Sequence, residues 1–256
     1  AARLAARAAL RVGAGAVTLG APGNAMMECA NQVTAVMLRR CDSGEDLEAL
    51  VSAGKISTLV IGPGLGLEDR HAALVRAALA TGLPCVLDAD ALTLIARHPE
   101  LRAALHDGCI LTPHMGEFAR LWPDLAQRLT DGDEALTGTA FSKIDATRAA
   151  AASVGCTVLL KGPDTVIAEP NGRAHVHAAV YDRTAPWLAT AGAGDVLAGF
   201  IAGGMARSTR DAAWCAAAAA WLHVEAARAF GPGLIAEDLP EIVPNVLRKL
   251  FGVSSS

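Results

Sequence analysis

The sequence predicts an α/β protein: a mainly parallel central sheet with helices on both faces, in three layers. Short unbroken apolar runs recur along it, namely Thr58-Leu-Val-Ile, Cys85-Val-Leu-Asp, Cys109-Ile-Leu-Thr and Thr157-Val-Leu-Leu-Lys. Alanine-rich stretches of helical character separate them. A strand covered on both faces reads as a continuous apolar run, and parallel neighbours need a helical crossover between them. A third observation agrees: glycine and polar residues gather just after nearly every run, where open α/β sheets place their ligands.

Taken in order, residues 1–10 carry arginines spaced among alanines and read as an amphipathic helix rather than a signal peptide. The run at 58–61 stops at Gly62-Pro63, and a helix is expected over 68–80, broken by Gly82-Leu83-Pro84. A strand over 85–88 leads into a helix over 89–96. A further strand, 109–112, ends at Pro113. The stretch 130–139 is polar and glycine-rich and reads as a surface loop. A helix over 142–154 precedes the strand 157–161. Residues 165–168 and 174–177, joined through Pro170-Asn171-Gly172, read as an antiparallel hairpin. Helices are expected over 195–207, 211–230 and 240–250, ahead of the polar tail Ser254-Ser255-Ser256. No fixed period and no dividing linker interrupts the chain, so residues 1–256 read as one domain.

Composition narrows the classes. Of 256 residues, 52% are hydrophobic and 19% charged, which excludes a mainly disordered chain. The apolar content is alanine and valine rather than aromatics, at 4%, and small residues favour close packing of helix on sheet. The net charge is −4 with no basic stripe, so nucleic acid is not an expected partner. The longest apolar run, Trp214 to Leu222, is far short of a span, so no membrane is expected either. Cys29, Cys41, Cys85, Cys109, Cys156 and Cys215 are scattered, several inside apolar runs. They read as buried reduced thiols of a cytoplasmic protein, not as disulfides or a metal site.

The strand ends carry the chemistry. Gly192-Ala193-Gly194-Asp195 opens a helix. Its amides and the helix dipole suit an anion, so Gly192, Ala193 and Gly194 form a candidate anion hole. Asp195 is a candidate general base for a hydroxyl, or else a helix N-cap. Gly62-Pro-Gly-Leu-Gly66 is neither a Walker A loop nor a dinucleotide fingerprint, and reads as a tight turn or a ligand loop. His114 follows a strand, between Pro113 and Gly116. Lys161 ends a buried strand, which brings its ammonium out at the sheet edge, either toward phosphate or into solvent. His175 and His177 share a strand face without a third metal ligand.

Together, Val60-Ile-Gly-Pro-Gly-Leu-Gly, Leu87-Asp-Ala-Asp-Ala-Leu, Leu111-Thr-Pro-His-Met-Gly-Glu, Leu160-Lys-Gly-Pro-Asp-Thr-Val-Ile and Ala189-Thr-Ala-Gly-Ala-Gly-Asp-Val-Leu-Ala-Gly resemble the ADP-dependent NAD(P)H-hydrate dehydratases. That family has the ribokinase-like fold and often forms the C-terminal part of a bifunctional repair enzyme. The resemblance runs from Ala1 to Leu239-Pro-Glu. It implies dehydration of the S form of hydrated NADH or NADPH, with ADP converted to AMP and phosphate. By motif position, Ala1, Gly64, His114 and Asp195 match the hydrated-nicotinamide contacts. Lys161, Gly162, Pro163, Asp164, Thr165 and Gly194 match the adenine-nucleotide contacts, and Asp195 matches the base. Magnesium is implied with the nucleotide, without dedicated protein ligands. The resemblance also implies a homo-oligomer, an epimerase domain or partner, and a first strand with a glycine-rich loop ahead of Ala1, so residues 1–256 are expected to lack that strand. Two positions depart from the family: Tyr181-Asp-Arg-Thr-Ala-Pro-Trp replaces a short Asn-Gly turn, and Ala193 stands where a hydroxyl residue is common. A vitamin-precursor kinase of the same superfamily and an inactive truncated domain are the competing readings.

Overall fold

The computed structural model describes residues 1–130 and 140–253. Past Thr130, the loop expected over 130–139 lies outside the described residues, as does the serine tail. The chain opens with α1 (Ala2–Arg11), which buries Ala5, Ala6, Ala8 and Ala9. Its arginines face outward, where Arg3 pairs with Glu28, and Arg7 and Arg11 with Glu241. Next come β1 (Thr18–Ala21), α2 (Met26–Ala30) and β2 (Met37–Arg40). β1 and β2 pair in parallel as a two-stranded sheet of their own.

After α3 (Gly44–Ala53) the main sheet begins with β3 (Leu59–Ile61). It continues through α4 (Asp69–Ala80), β4 (Cys85–Leu87), α5 (Asp90–Arg97), α6 (Pro99–Ala103) and β5 (Cys109–Leu111). Then follow α7 (Met115–Leu121), α8 (Pro123–Thr130), α9 (Lys143–Val154) and β6 (Thr157–Leu160). The sheet is completed by β7 (Asp164–Ala168) and β8 (Ala174–Ala178), and the chain by α10 (Ala193–Arg207), α11 (Ala212–Phe230) and α12 (Asp238–Phe251). The six strands lie in sequence order. β3 to β6 run parallel, and β7 and β8 form the expected antiparallel hairpin.

Alternation along each strand divides the core in two. Cys85, Leu87, Cys109, Leu111, Val158 and Leu160 face α4, α5, α7 and α9, through Val75, Leu92, Phe118 and Ala150. Val86, Ile110, Leu159 and Ile167 face α1, α10, α11 and α12, through Ala8, Phe200, Ala216 and Val243. Both faces are therefore covered, as the continuous apolar runs require. A third, smaller cluster of Ala6, Leu19, Ala21, Cys29 and Val36 joins α1 to the two-stranded sheet.

Several boundaries differ from the expected ones for physical reasons. α10 starts at Ala193 because Gly192, at φ 88°, provides the turn into it. α12 starts at Asp238, since Pro240 falls within the first turn, where a missing N–H costs nothing. α1 and α10 cross in close contact. A methyl group on Gly199 would lie 2.2 Å from the Ala5 carbonyl oxygen, and one on Gly203 2.6 Å from that of Ala9.

Candidate active site

Because β3 to β6 are parallel, their carboxyl ends share one edge. Gly62, Asp88, Thr112 and Lys161 follow the four strands there. Gly62 has φ 123°, and a methyl group on it would fall 1.8 Å from the Asp88 carbonyl oxygen, so the close approach of these two strand ends requires glycine. The loop that follows turns back through a Leu65 N–H bond to Gly62 and is held by Gly66 N–H donating to Asp90 Oδ2 at 2.8 Å. Gly64 carries its open face toward Ala1, whose methyl lies 3.2 Å from a Cβ placed there.

Asp88 is 1% exposed. Its Oδ1 accepts from the Thr112 hydroxyl at 2.8 Å and from Lys161 Nζ at 2.7 Å. Lys161 Nζ also lies 3.8 Å from Glu117 Oε2. The ammonium therefore points neither into solvent nor outward along the sheet edge. It is drawn inward between two buried carboxylates. Between Asp88 and Asp90 stands Ala89, with φ 49° and ψ −118°, a backbone conformation that disfavours any residue but glycine. This kink turns Asp88 toward Lys161 while Asp90 caps the Gly66 loop.

The first turn of α10 closes the site. A Cβ on Gly194 would lie 3.3 Å from Lys161 Nζ and 3.9 Å from Asp88 Oδ2. Ala193 is buried, and its N–H donates to the Thr190 carbonyl at 3.4 Å, so of the expected anion hole this amide already has a partner within the turn. Asp195 sits three residues beyond the capping Gly192, and its side chain makes no capping bond. The N-cap alternative for Asp195 thus falls away. Its Oδ2 lies 3.9 Å from the Ala1 nitrogen. Burial pushes the Asp195 carboxyl above its ordinary range. Asp88 and Asp90 push the same way, while Lys161 opposes them. A carboxyl raised in this manner binds a proton more tightly than an ordinary carboxylate, as a general base requires.

His114 caps α7: its Nδ1 accepts from Gly116 N–H at 2.9 Å, and its backbone N–H donates to Glu117 Oε2 at 2.8 Å. It reaches the cluster through Glu117, which faces both His114 and Lys161. Gly162 and Pro163 turn the chain from β6 into β7, whose first residues are Asp164 and Thr165. Lys143 straps this turn, donating to the Asp164 carbonyl at 2.6 Å and to its Oδ1 at 2.9 Å. The site thus gathers Ala1, Gly64, Lys161, Gly192, Gly194 and Asp195 directly. Sequence reasoning quoted Asp88 and Glu117 within motifs without assigning them a role, and it missed Lys143 entirely. The signal for Asp88 was present, since an aspartate ends a strand buried on both sides.

A family model described as NAD(P)H-hydrate dehydratase matches residues 1–244. The chain belongs to the NAD(P)H-hydrate dehydratase family. One member of that family, the ADP-dependent (S)-NAD(P)H-hydrate dehydratase of Xanthomonas campestris, is 35% identical over 96% of this chain and 83% of its own. The bifunctional NAD(P)H-hydrate repair enzyme of Mycobacterium tuberculosis is 43% identical over 59% of this chain but only 28% of its own length. The chain thus matches well under half of that bifunctional relative. Among solved structures, the ADP/ATP-dependent NAD(P)H-hydrate dehydratase from Bacillus subtilis, co-crystallised with ATP and Mg2+, superposes with a TM-score of 0.74 at 25% identity. That match covers 97% of this chain and 84% of the other. A ribokinase-like superfamily protein from Enterococcus faecalis, 22% identical with a TM-score of 0.76 over 96% of this chain and 81% of its own, shares the fold. Members of the NAD(P)H-hydrate dehydratase family thus share with this chain the ribokinase-like architecture expected from its motifs.

Proposed function

We propose that this chain dehydrates the S form of hydrated NADH or NADPH, using ADP and releasing AMP and phosphate. The observation that carries the reading is the meeting of three things at one point: the Gly192–Gly194 turn that opens α10, the Lys161 ammonium, and the raised carboxyl of Asp195. Amides at a helix N-terminus and a fixed cation suit a transferring phosphoryl group. A carboxylate with a high proton affinity beside them suits a hydroxyl nucleophile. Ala1 and Gly64 lie on the Asp195 side, where the hydrated ring would rest, and His114 would meet it from α7.

In this reading Asp195 takes the proton of the ring hydroxyl as its oxygen attacks the terminal phosphorus of ADP, and AMP departs. The hydroxyl, a poor leaving group, has become a phosphate ester. The ring nitrogen's lone pair then expels phosphate, and loss of a ring proton restores the reduced nicotinamide. Gly162 to Thr165, strapped by Lys143, would hold the nucleotide behind Lys161. A cavity of about 380 Å³, lined by Pro186, Trp187, Ala189, Thr190, Gly233, Leu234 and Ile235, opens beside Gly192 and would seat the adenine. The divergent stretch 181–187 shapes its rim through two short 3-10 turns and an Arg183–Glu225 ion pair.

Among the described residues, no three His, Cys, Asp or Glu side chains converge on a cation position. The residues present do not make a magnesium cage; magnesium would come with the nucleotide phosphates. No helix of the described residues is long and apolar enough to cross a membrane. The six cysteines are unpaired and buried, which supports a cytoplasmic setting. An epimerase, as a domain or a partner, would supply the S form, and a homo-oligomer completes the proposal.

The test is direct. Hydrated NADH with ADP and the purified protein should regain reduced-nicotinamide absorbance. If the folded protein leaves the hydrate untouched with ADP, ATP and magnesium all supplied, the reading fails. A stable phosphorylated product in place of AMP and phosphate would instead show a kinase. Asp195→Asn should lower kcat by about 10²–10⁴-fold while ADP binding persists.

A further inference from the structure

Resting on the proposed reaction, we infer that Asp88 is a positioning residue that aims the Lys161 ammonium at the phosphoryl cradle. Lys161 leaves the end of β6 with its backbone tied, its N–H donating to the Pro113 carbonyl at 2.8 Å. Its flexible side chain still has to be directed. Asp88 Oδ1, at 2.7 Å, supplies the close partner, while Glu117 stands farther off at 3.8 Å. Asp88 is itself fixed from two sides. Thr112 on the neighbouring strand end donates to it, and the strained Ala89 holds the peptide that turns its carboxylate inward. A strained residue inside a buried polar cluster persists only where the surroundings enforce it, and such residues gather at functional sites.

The outcome of this arrangement is spatial. With Nζ held by Asp88, the ammonium lies over Gly194, 3.3 Å from a Cβ placed there. Left to its own rotamers, the lysine would reach solvent or collapse onto Glu117. The same carboxylate is one of the charges acting on Asp195. The charged groups facing Asp195 are Asp88 from the end of β4, Asp90 from α5 and Lys161 from the end of β6. Asp88 and Asp90 favour the protonated form, and Lys161 opposes it. Removing the charge of Asp88 should therefore ease ionisation of Asp195. No other group in the cluster both binds the cation and acts on the base.

Asp88→Asn tests this, because it keeps an acceptor for Thr112 and Lys161 and deletes only the charge. The expected result is a fall in kcat of about tenfold or more, with KM for ADP within about threefold of wild type. The acid limb of the kcat/KM profile should also move to lower pH. NMR titration of the labelled Asp195 carboxylate should show its midpoint displaced downward by the same substitution. If kcat stays within about twofold of wild type and the Asp195 midpoint is unmoved, the inference is wrong. If wild type shows no turnover, the reaction proposal fails, and the two Asp195 midpoints still decide the role of Asp88. Should Asp88→Asn not fold, Thr112→Val leaves every charge in place and loosens Asp88. A several-fold lower kcat at unchanged KM for ADP would support the inference, and wild-type kinetics would overturn it.

Discussion

Ala89 sits in a backbone region that only glycine occupies without cost, so Ala89→Gly should stabilise the fold by about 1 kcal/mol, the relieved strain exceeding the added unfolded-state entropy. Urea midpoints of the two proteins check this, and a lower midpoint for the variant would mean that the kink is not strained. Asp195 shows the opposite balance between stability and use. Burial holds its carboxyl above the ordinary range, so its ionised form costs stability at neutral pH. That cost is present above the folded-state titration and is relieved as pH falls through it. Asp195→Asn, inactive by proposal, should therefore melt at a higher temperature than wild type at neutral pH, as residues kept for chemistry often do. His223 in α11 is buried against Phe200 and near the Ala193 backbone, and burial pushes its imidazole down to about 4. The unfolded chain takes up that proton and the folded one does not, so stability falls as pH drops from about 6.5 to about 4. The loss is on the order of 3 kcal/mol. His223→Asn should flatten this part of the stability profile measured by urea unfolding.

At the scale of elements, the contact between α1 and α10 positions the site, because α1 carries Ala1 and α10 carries Asp195. Gly199 meets the Ala5 carbonyl at a distance no methyl group tolerates. Gly199→Ala should cost about 2 kcal/mol despite its better helix propensity, and should lower activity more than a surface change of equal stability. Thermal melts paired with turnover measure both. Much of this layer was legible in the sequence. Cys85-Val-Leu, Cys109-Ile-Leu and Thr157-Val-Leu-Leu are apolar without interruption because helices cover both their faces, and the helices expected from Ser142 and Asp211 begin one residue later, with those two side chains as N-caps. Residues 19–57 were far less so. β2 is four residues long and largely exposed, with Met37 at 43%, so no alternating or continuous pattern marks it. Within the site, the glycines and Asp195 stood out because they interrupt a helix start. The partner of Lys161 did not, because Asp88 lies 73 positions earlier, and only the parallel stacking of β4, β5 and β6 brings the two together.

The whole molecule divides into unequal parts. The six-stranded sheet is packed on both faces, whereas β1 and β2 rest on one small cluster and are not hydrogen-bonded to the main sheet. Regions with fewer buried contacts open at lower free energy. Amide exchange at Leu19, Gly20, Leu38 and Arg39 should therefore outpace that at Val86, Ile110 and Leu159, measured site by site. Equal protection would show that the two sheets open together. ADP at about a hundred times its dissociation constant should add close to 2.7 kcal/mol of stability to the main sheet. The buried thiols are distributed over this same divide. Cys29 belongs to the small cluster, whereas Cys41, Cys85, Cys109 and Cys156 belong to a core cluster of the main sheet, the last three with no exposure and held protonated by burial. The chain thus carries its own chemical stopwatch: an alkylating reagent can reach these sulfurs only as fast as the structure lets it in, and the order in which they are consumed records the order in which the molecule comes apart.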